Sequence, residues 1–524
     1  MLFEYSVCVV RDSPPLLYFQ TLPNGSEVMA QLVPPLSAYG LSKDCGFLSS
    51  LPVPALADPY YAEWENILAR LQPLLQSGGL RAVIDDLPIL STSQLQTELQ
   101  WRRAYLLLVS MLQGYVWSGA EPSERIPPPI TIPLKQVSEH LELPPMATYA
   151  GFCLWNYVPH CQTESLSDLS NLGCAVTFTG TVDEHWFYKI SMAIEAYGAP
   201  SLQSMLEAIE AAHVGDSQVV ADHLNQLAGT IDGIIAILHR IYESCDPRVF
   251  YHQVRPYLAG SKGMENSGLP NGVWYDDGSS NREYRQYAGI SNAQSSLIQF
   301  YDIVLGIEHR PTGISSTTSI PEAKGPQPPR HNFIHEMRKY MPGPHRRFLE
   351  DVGKTTNIRS FVESRRSDHA LCKAYDSCLE MLCKLRDKHL QVVSRYIIIE
   401  SRKSITNENP VGNAALSLAL IDPDTELSKD AIGTGGTSLM PFLKQARNET
   451  TEPVIHPGRR LLDKSQKHVE DSQIQYHFGV GSWNHHSITS GSKDSDGLIT
   501  FTPRAAFLFA VGIFVAVSAA IVSS

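Results

Sequence analysis

The sequence lacks the paired cysteines that a secreted protein would use. Its nine cysteines are scattered, their total is odd and no two form a C-x-x-C pair. Residues 1–5 contain no basic residue, and the short apolar run after them ends at Arg11 and Asp12, so no cleaved secretory signal is predicted. These absences predict free thiols in a reducing compartment and therefore a cytoplasmic protein.

An excess of positive charge is also missing. The chain has 42 basic and 54 acidic residues and a formal net charge of −12, which disfavours long-range attraction to nucleic acid. One dense arginine cluster, at 346, 347, 359, 365 and 366, is interleaved with Glu350, Asp351 and Glu363, as on a solvated helical face. We therefore expect no nucleic-acid partner.

Motifs for other chemistries are absent or incomplete. No G-x-S-x-G, Walker loop or dinucleotide-binding glycine pattern stands in a suitable context. The glycine-rich run 433–437 has no following lysine and no preceding strand, and the adjacent His485 and His486 lack the helical spacing of a zinc site. These patterns predict neither a nucleotide-binding nor a zinc enzyme, and run 433–437 reads as a flexible loop.

The order of patterns predicts a mainly α protein with a smaller, mixed N-terminal domain and a larger all-helical domain. Residues 1–60 are rich in proline and serine, helical spacing runs through 94–117, and prolines at 127–129 and 144–145 predict a connector. We expect a first domain over 1–160, a linker over 161–182, a helical domain over 183–446, a polar unstructured segment over 447–503 and an apolar segment over 504–524. Helical spacing recurs at 184–197, 201–213, 217–244, 247–259, 292–307, 331–340, 344–351 and 368–400.

The most informative helical stretch carries a histidine on its apolar stripe. Between 368 and 400, apolar residues alternate at intervals of four and three and place His389 on the buried face. A histidine in that position is usually hydrogen-bonded within a core, and the pattern alone favours this interpretation. The alternative is a haem ligand, because haem iron binds a neutral imidazole in an apolar pocket.

Four segments, in the same order, resemble motifs of the indoleamine 2,3-dioxygenase family. They are LELPP at 141–145 with Tyr149 and Ala150, MPGPHRRFL at 341–349, LRDKHLQ at 385–391 and GTGGTSLM at 433–440, and the resemblance extends over about 45–446. It implies a haem b enzyme that uses O2 to open the indole ring of L-tryptophan, giving N-formylkynurenine in tryptophan catabolism. It also implies that His389 is the proximal iron ligand.

The same resemblance implies roles for other residues. Asp302 would orient the ligating imidazole through its second nitrogen, and Arg386 would lie near this acid and a haem propionate. Ser191 and Arg255 would act in catalysis, Ser191 above the iron and Arg255 on the substrate carboxylate. The substrate would contact these residues: Tyr149, Phe152, Phe187, Phe250, Arg255, Ser291 and Thr434, of which Ser291 would also lie against the haem.

Three residues depart from the animal members of the family. Phe152 stands in place of a small cysteine, and Ile290 and Asn292 replace glycine and alanine on either side of Ser291. We expect these bulkier side chains to reduce or reshape the distal pocket. Two alternatives to a tryptophan enzyme therefore stay open: a dioxygenase for another indole, and a catalytically weak haem-binding or signalling protein. We expect a monomer in each case.

The apolar segment near the C-terminus predicts a tail anchor in an intracellular membrane, with the enzyme facing the cytosol. Residues 505–522 contain no charged side chain and as a helix would be about 27 Å long, close to the hydrocarbon thickness of a thin bilayer. The alternative is a terminal helix packed on the large domain.

Overall fold

Helices form most of the structure, as the sequence predicts. The computed structural model describes residues 19–21, 27–29, 35–280, 282–311, 332–406 and 439–455. Its α-helices are α1 Ala62–Ala69, α2 Leu71–Gln76, α3 Leu80–Asp85, α4 Glu98–Trp117, α5 Pro128–His140, α6 Val182–Gly198, α7 Pro200–Val214, α8 Ser217–His239, α9 Ile241–Ser244, α10 Pro247–Val249, α11 Ser296–Val304, α12 Phe333–Arg338, α13 Gly343–Thr355, α14 Ile358–Ser364, α15 His369–Val393, α16 Ile399–Thr406 and α17 Leu439–Thr450.

The strands are all two or three residues long. They are β1 Phe19–Thr21, β2 Glu27–Met29, β3 Arg125–Ile126, β4 Tyr157–Pro159, β5 Leu172–Cys174, β6 Val273–Tyr275 and β7 Tyr284–Arg285. β1 pairs antiparallel with β2 and β4 with β5, while β6 lies between a parallel β3 and an antiparallel β7. Four of these strands lie before residue 160, which agrees with mixed structure there.

Polar caps define where the site-bearing helices begin. Asp368 accepts a hydrogen bond from the Leu371 amide (3.1 Å) at the start of α15, and Ser295 accepts one from Ile298 (3.3 Å) at the start of α11. From its cap, α15 runs for 25 residues and packs along α8, where the Cys378 thiol meets the Leu224 carbonyl at 2.9 Å. α15 is the longest of the described helices, and it and α8 both contribute buried side chains to the hydrophobic core.

One helix begins where the sequence predicts a connector. Residues 127–129 were expected to interrupt helical structure, but α5 begins at Pro128 and continues to His140. Proline fits the first turn of a helix because no intrahelical hydrogen bond needs its missing amide. The prolines therefore mark the start of a helix here, and that expectation is corrected.

The described residues belong to the first of the two units into which the chain divides, Met1–Arg459. Within the first, a connected hydrophobic core includes residues from Leu36 to Tyr396. The division near 160 therefore stays a prediction. No helix in the described ranges is long and apolar enough to cross a membrane. The predicted anchor at 504–524 and most of the polar segment at 447–503 lie outside those ranges.

Candidate active site

Residues distant in sequence meet around one cavity. Its walls come from α6, α8, α9, α11, α12, α15 and α17, from three connecting segments at 149–153, 250–258 and 290–295, and from residues 396–397. Nine of the predicted site residues line it: Tyr149, Phe187, Ser191, Phe250, Arg255, Ser291, Asp302, Arg386 and His389. Most of the other lining side chains are apolar.

We name the two sides of this cavity by their residues. The imidazole wall consists of the lining residues of α11, α15 and α17, among them Asp302, Arg386 and His389. The substrate wall consists of the lining residues of α6 and the three connecting segments, among them Ser191 and Arg255.

His389 lies on α15 among apolar side chains of the imidazole wall. Leu385 and Val392 flank it in the cavity lining. Burial, assisted by the positive charge of Arg386, lowers its pKa to about 4, so the ring is neutral at pH 7. Among the residues that the structure describes, none forms a hydrogen bond with this imidazole. A neutral ring facing an apolar cavity fits an axial haem ligand better than a hydrogen-bonded core histidine.

The structure corrects the predicted partner of Asp302. Its carboxylate accepts two hydrogen bonds from Arg386 Nη2 (2.6 and 2.8 Å) and one from His309 Nε2 (3.0 Å). Burial alone would raise the pKa of Asp302, but the charges of Arg386 and His309 outweigh it and lower the pKa. Asp302 therefore lies beside Arg386, as expected, and has no hydrogen bond with His389, because Arg386 and His309 hold its carboxylate.

Two charged residues of this network were missed in the sequence. His309 also hydrogen-bonds through Nδ1 to Glu449 Oε2 (2.8 Å), and Arg386 donates to the Thr450 hydroxyl. His309 and Glu449 are 140 positions apart, and no spacing pattern connects a residue after α11 with one at the end of α17. Only the packing of α17 brings them together.

Aromatic rings line the substrate wall. The rings of Phe187 and Phe250 lie 4.8 Å apart between centroids, and the Tyr396 ring packs edge-on against Phe250 at 5.8 Å. Such faces suit a flat aromatic ligand such as an indole. Arg255 is only 3% exposed, and its guanidinium lies 5.4 Å from the centre of the Tyr251 ring. Burial lowers the pKa of Arg255.

Phe152 does not line this cavity. Its ring is fully buried and stacks on Phe178 (5.5 Å) and Tyr188 (5.9 Å), while Cys153 faces the cavity. Successive residues of a helical turn point in different directions, so the turn that presents Cys153 directs Phe152 into the core. The expectation that Phe152 reduces the pocket is therefore corrected. Ile290 and Asn292 do line the cavity, whereas Thr434 lies outside the described residues.

A buried glutamate supports the substrate wall from behind. Glu195, one turn after Ser191 on α6, accepts hydrogen bonds from the hydroxyls of Tyr149 (3.0 Å) and Ser295 (2.6 Å). Burial raises its pKa to about 7, although both hydrogen bonds lower it. Glu195 thereby orients Tyr149, and its position in an apolar face of α6 was the only signal in the sequence.

Three π-helical turns border the cavity. They cover Ala150–Leu154, Phe250–Val254 and Ser394–Ile398, and each contributes lining side chains, including Cys153, Phe250 and Tyr396. A π turn holds one more residue than an α turn, so it changes the direction of the side chains that follow, and such turns are frequent at functional sites. No pattern in the sequence predicted them.

Comparison with known proteins identifies the family. The family model of indoleamine 2,3-dioxygenase matches residues 35–453. An indoleamine 2,3-dioxygenase of Aspergillus candidus is 40% identical over 419 residues, covering 79% of this chain and 95% of the relative. One of Saccharomyces cerevisiae is 39% identical over 438 residues (80% and 93%), and a 6-hydroxytryptophan 2,3-dioxygenase of Fusarium equiseti is 35% identical over 428 residues (81% and 99%).

The chain belongs to the indoleamine 2,3-dioxygenase family. It is an oxidoreductase of the dioxygenase class, and the family depends on haem. The resemblance stated from the motifs is thereby confirmed.

Proposed function

We propose that the chain binds one haem b through His389 and adds both atoms of O2 across the indole C2–C3 bond of L-tryptophan, giving N-formylkynurenine. One observation carries this proposal: a neutral, half-buried imidazole, a buried guanidinium and several aromatic rings line a single apolar cavity. Bound haem supplies the activation of O2. The residues around it bind and orient the substrate.

Arg255 and the aromatic rings would orient tryptophan by its two ends. The guanidinium offers a fork of donors to the substrate carboxylate, in a place from which most water is excluded. Phe187, Phe250 and Tyr149 offer flat surfaces to the indole. The Ser191 hydroxyl lines the same space. Glu195 lies behind Tyr149 and outside the lining, so we assign no general base to the substrate wall.

The charged residues of the imidazole wall suggest which of its side chains would contact the haem. Arg386 is paired with Asp302, and its guanidinium reaches the cavity, where it would meet a haem propionate. On the substrate wall, Ser291 lines the cavity beside Ile290 and Asn292, and it would lie near both the haem and the substrate. Thr434 is proposed as a substrate contact on the motif alone.

A second candidate is a dioxygenase for a substituted indole. Ile290 and Asn292 line the cavity and add bulk and an amide next to Ser291, and one relative is named for 6-hydroxytryptophan. A catalytically weak haem-binding or signalling role is less well supported, because Ser191, Arg255 and His389 all line the same cavity.

An absorption spectrum and a product assay test the proposal. Purified full-length protein should show a Soret band that shifts when tryptophan is added, and with reductant and O2 it should form N-formylkynurenine. Turnover should be compared on tryptophan, 6-hydroxytryptophan and tryptamine. A higher kcat/KM for 6-hydroxytryptophan would favour the second candidate, and a Soret band without turnover on any indole would favour the weak haem-binding protein.

We also propose that residues 505–522 attach the enzyme to an intracellular membrane from the cytosolic side. The uncharged apolar run and the polar stretch before it support this attachment. Cell fractionation of the full chain and of a chain ending at Pro503 tests it. Full-length protein in the soluble fraction without detergent would contradict the proposal.

A further inference from the structure

The imidazole of His309 lies between two buried carboxylates. Its Nε2 is 3.0 Å from Asp302 Oδ2 and its Nδ1 is 2.8 Å from Glu449 Oε2, and the three side chains are 4%, 6% and 4% exposed. When both carboxylates are ionised they only accept hydrogen bonds, so both ring nitrogens then donate. A ring that donates from both nitrogens is an imidazolium cation.

The charges around this ring are balanced. Asp302 of α11 and Glu449 of α17 face it, and Arg386 of α15 lies beyond Asp302. His335 and Arg338 of α12 act on the same cluster at longer range, and Glu308 is a chain neighbour. The Arg310 guanidinium lies 3.9 Å from Glu449 and is itself paired with Glu452.

Two cations and two anions are therefore buried together, which offsets much of the cost of removing each from water. Burial alone would lower the pKa of His309, but the charge of Asp302 and the hydrogen bonds to both carboxylates outweigh it and raise the pKa.

This bridge attaches the end of α17 to the imidazole wall. α17 contributes Leu439, Phe442, Leu443 and Ala446 to the cavity lining, and its last residues hold the polar contacts. Glu449 reaches His309, Thr450 reaches Arg386, and Arg447 pairs with Asp387 of α15 at 2.8 Å. The apolar side chains of α17 are thus held at the cavity by the polar groups at its end.

We propose that His309 is a positioning residue of the haem site, which as a cation links Asp302 to Glu449 and so holds α17 against the ligand helix α15. The proposal rests on the proposed function, in which haem occupies this cavity. His309 itself does not line the cavity, so it acts through α17 and through Asp302.

Paired amide substitutions test the bridge. In His309→Gln, one end of the side chain can donate to Asp302, but its carbonyl oxygen then faces the Glu449 carboxylate. Adding Glu449→Gln replaces the Glu449 oxygen that faces position 309 with an NH2 group, which can donate to the carbonyl oxygen introduced there. The other Glu449 oxygen, which accepts from the Arg310 amide (3.1 Å) and Gln445 (2.8 Å), is retained as a carbonyl. The double variant should therefore recover a hydrogen-bonded bridge without charge.

The main measurement is the rate at which ferric full-length protein transfers haem to apomyoglobin, together with hydrogen exchange of the α17 backbone. At pH 6 we expect His309→Gln to lose haem about tenfold faster or more, since hydrogen bonds between charged groups are lost. Exchange in α17 should accelerate as well. The double variant should return to within about threefold of the wild type. His213→Gln, at an exposed histidine of α7 outside this cluster, is the control and should change neither rate.

The pH dependence supplies an independent measurement. Because the folded pKa of His309 is raised, the bridge is complete below the unfolded value of about 6.5 and weakens as the pH rises through the folded value. Haem loss from the wild type should accelerate over that rise, and His309→Gln should lack this acceleration.

Wild-type rates in His309→Gln, or a double variant as fast as the single one, would overturn the bridge. A wild type without a Soret band would instead contradict the proposed function, and exchange of α17 would still show whether His309 holds this helix.

Discussion

The two walls of the cavity are held in place by different forces. The imidazole wall depends on a buried charge network, Arg386–Asp302–His309–Glu449, that crosses from α15 to α11 and α17. The substrate wall depends on aromatic packing, on the uncharged hydroxyl contacts of Tyr149 and Ser295 with Glu195, and on π-helical turns. Charges fix a helix at defined points, whereas aromatic packing depends on shape.

This contrast has a consequence for the effects of mutation. A buried ion pair that loses one partner leaves an uncompensated charge, so the imidazole wall should be sensitive to single polar substitutions. On the substrate wall, substituting a residue that contacts the ligand should change substrate binding, whereas substituting a residue that only packs behind it should change stability alone. Four substitutions, from the largest expected effect to the smallest, test this difference.

His389→Ala should abolish stable haem incorporation. No other histidine lines the cavity in the part of the chain that the structure describes, so none can replace the lost imidazole there. The purified variant should lack a Soret band while its circular dichroism stays helical. His369→Ala, at the exposed first turn of α15, is the control and should retain the band. A full Soret band in His389→Ala would show that iron is bound elsewhere.

Asp302→Asn should lower the free energy of unfolding by about 3–5 kcal/mol near pH 6, because Arg386 and His309 lose their shared anion. Chemical denaturation of the full chain measures this loss. Asp277→Asn is the matched control at a surface pair with Lys135 (2.8 Å), and it should leave the denaturation midpoint nearly unchanged, because solvent screens this pair.

The pH dependence of this loss has a definite sign. The lowered pKa of Asp302 means that its contribution is present above about pH 4 and disappears as the pH falls through the folded pKa. The raised pKa of His309 means that its contribution disappears as the pH rises. The difference between wild type and Asp302→Asn should therefore be greatest at about pH 4–6.5. A difference that does not vary with pH would contradict the charge network.

Arg255→Leu should reduce kcat/KM for tryptophan by about tenfold to a hundredfold, because a charge-assisted hydrogen bond to the carboxylate is lost. Haem content should stay normal, since the substitution lies on the substrate wall. Tryptamine, which has no carboxylate, is the control substrate and should be much less affected. An equal loss of kcat/KM for both substrates would show that Arg255 has a structural role.

Phe152→Leu should lower the free energy of unfolding by about 1–2 kcal/mol and leave the KM for tryptophan unchanged. The reason is that Phe152 packs against Phe178 and Tyr188 and does not line the cavity. Cys153→Leu, one residue later and facing the cavity, should instead raise the KM. A raised KM in Phe152→Leu with unchanged stability would show that Phe152 contacts the substrate.

Hydrophobic periodicity and ordered motifs were sufficient for most helices and for the family. The spacing over 368–400 predicts α15 and groups His389 with Leu382 and Leu385, which line the cavity with it, because a helix repeats every 3.6 residues whatever it packs against. The expected helices at 201–213 and 344–351 correspond to α7 and α13 for the same reason. Motif order likewise needs no coordinates, and it led to the family that the comparisons confirm.

The tertiary structure alone decided which neighbours share a site. The resemblance placed Phe152 at the pocket, but in the π turn Ala150–Leu154, which no sequence pattern predicted, Cys153 faces the cavity and Phe152 packs into the core. Periodicity also carries no information on contacts across 140 residues, such as the one between His309 and Glu449. Local pattern follows from backbone geometry, whereas the burial of two carboxylates against one imidazole depends on how α11, α15 and α17 pack.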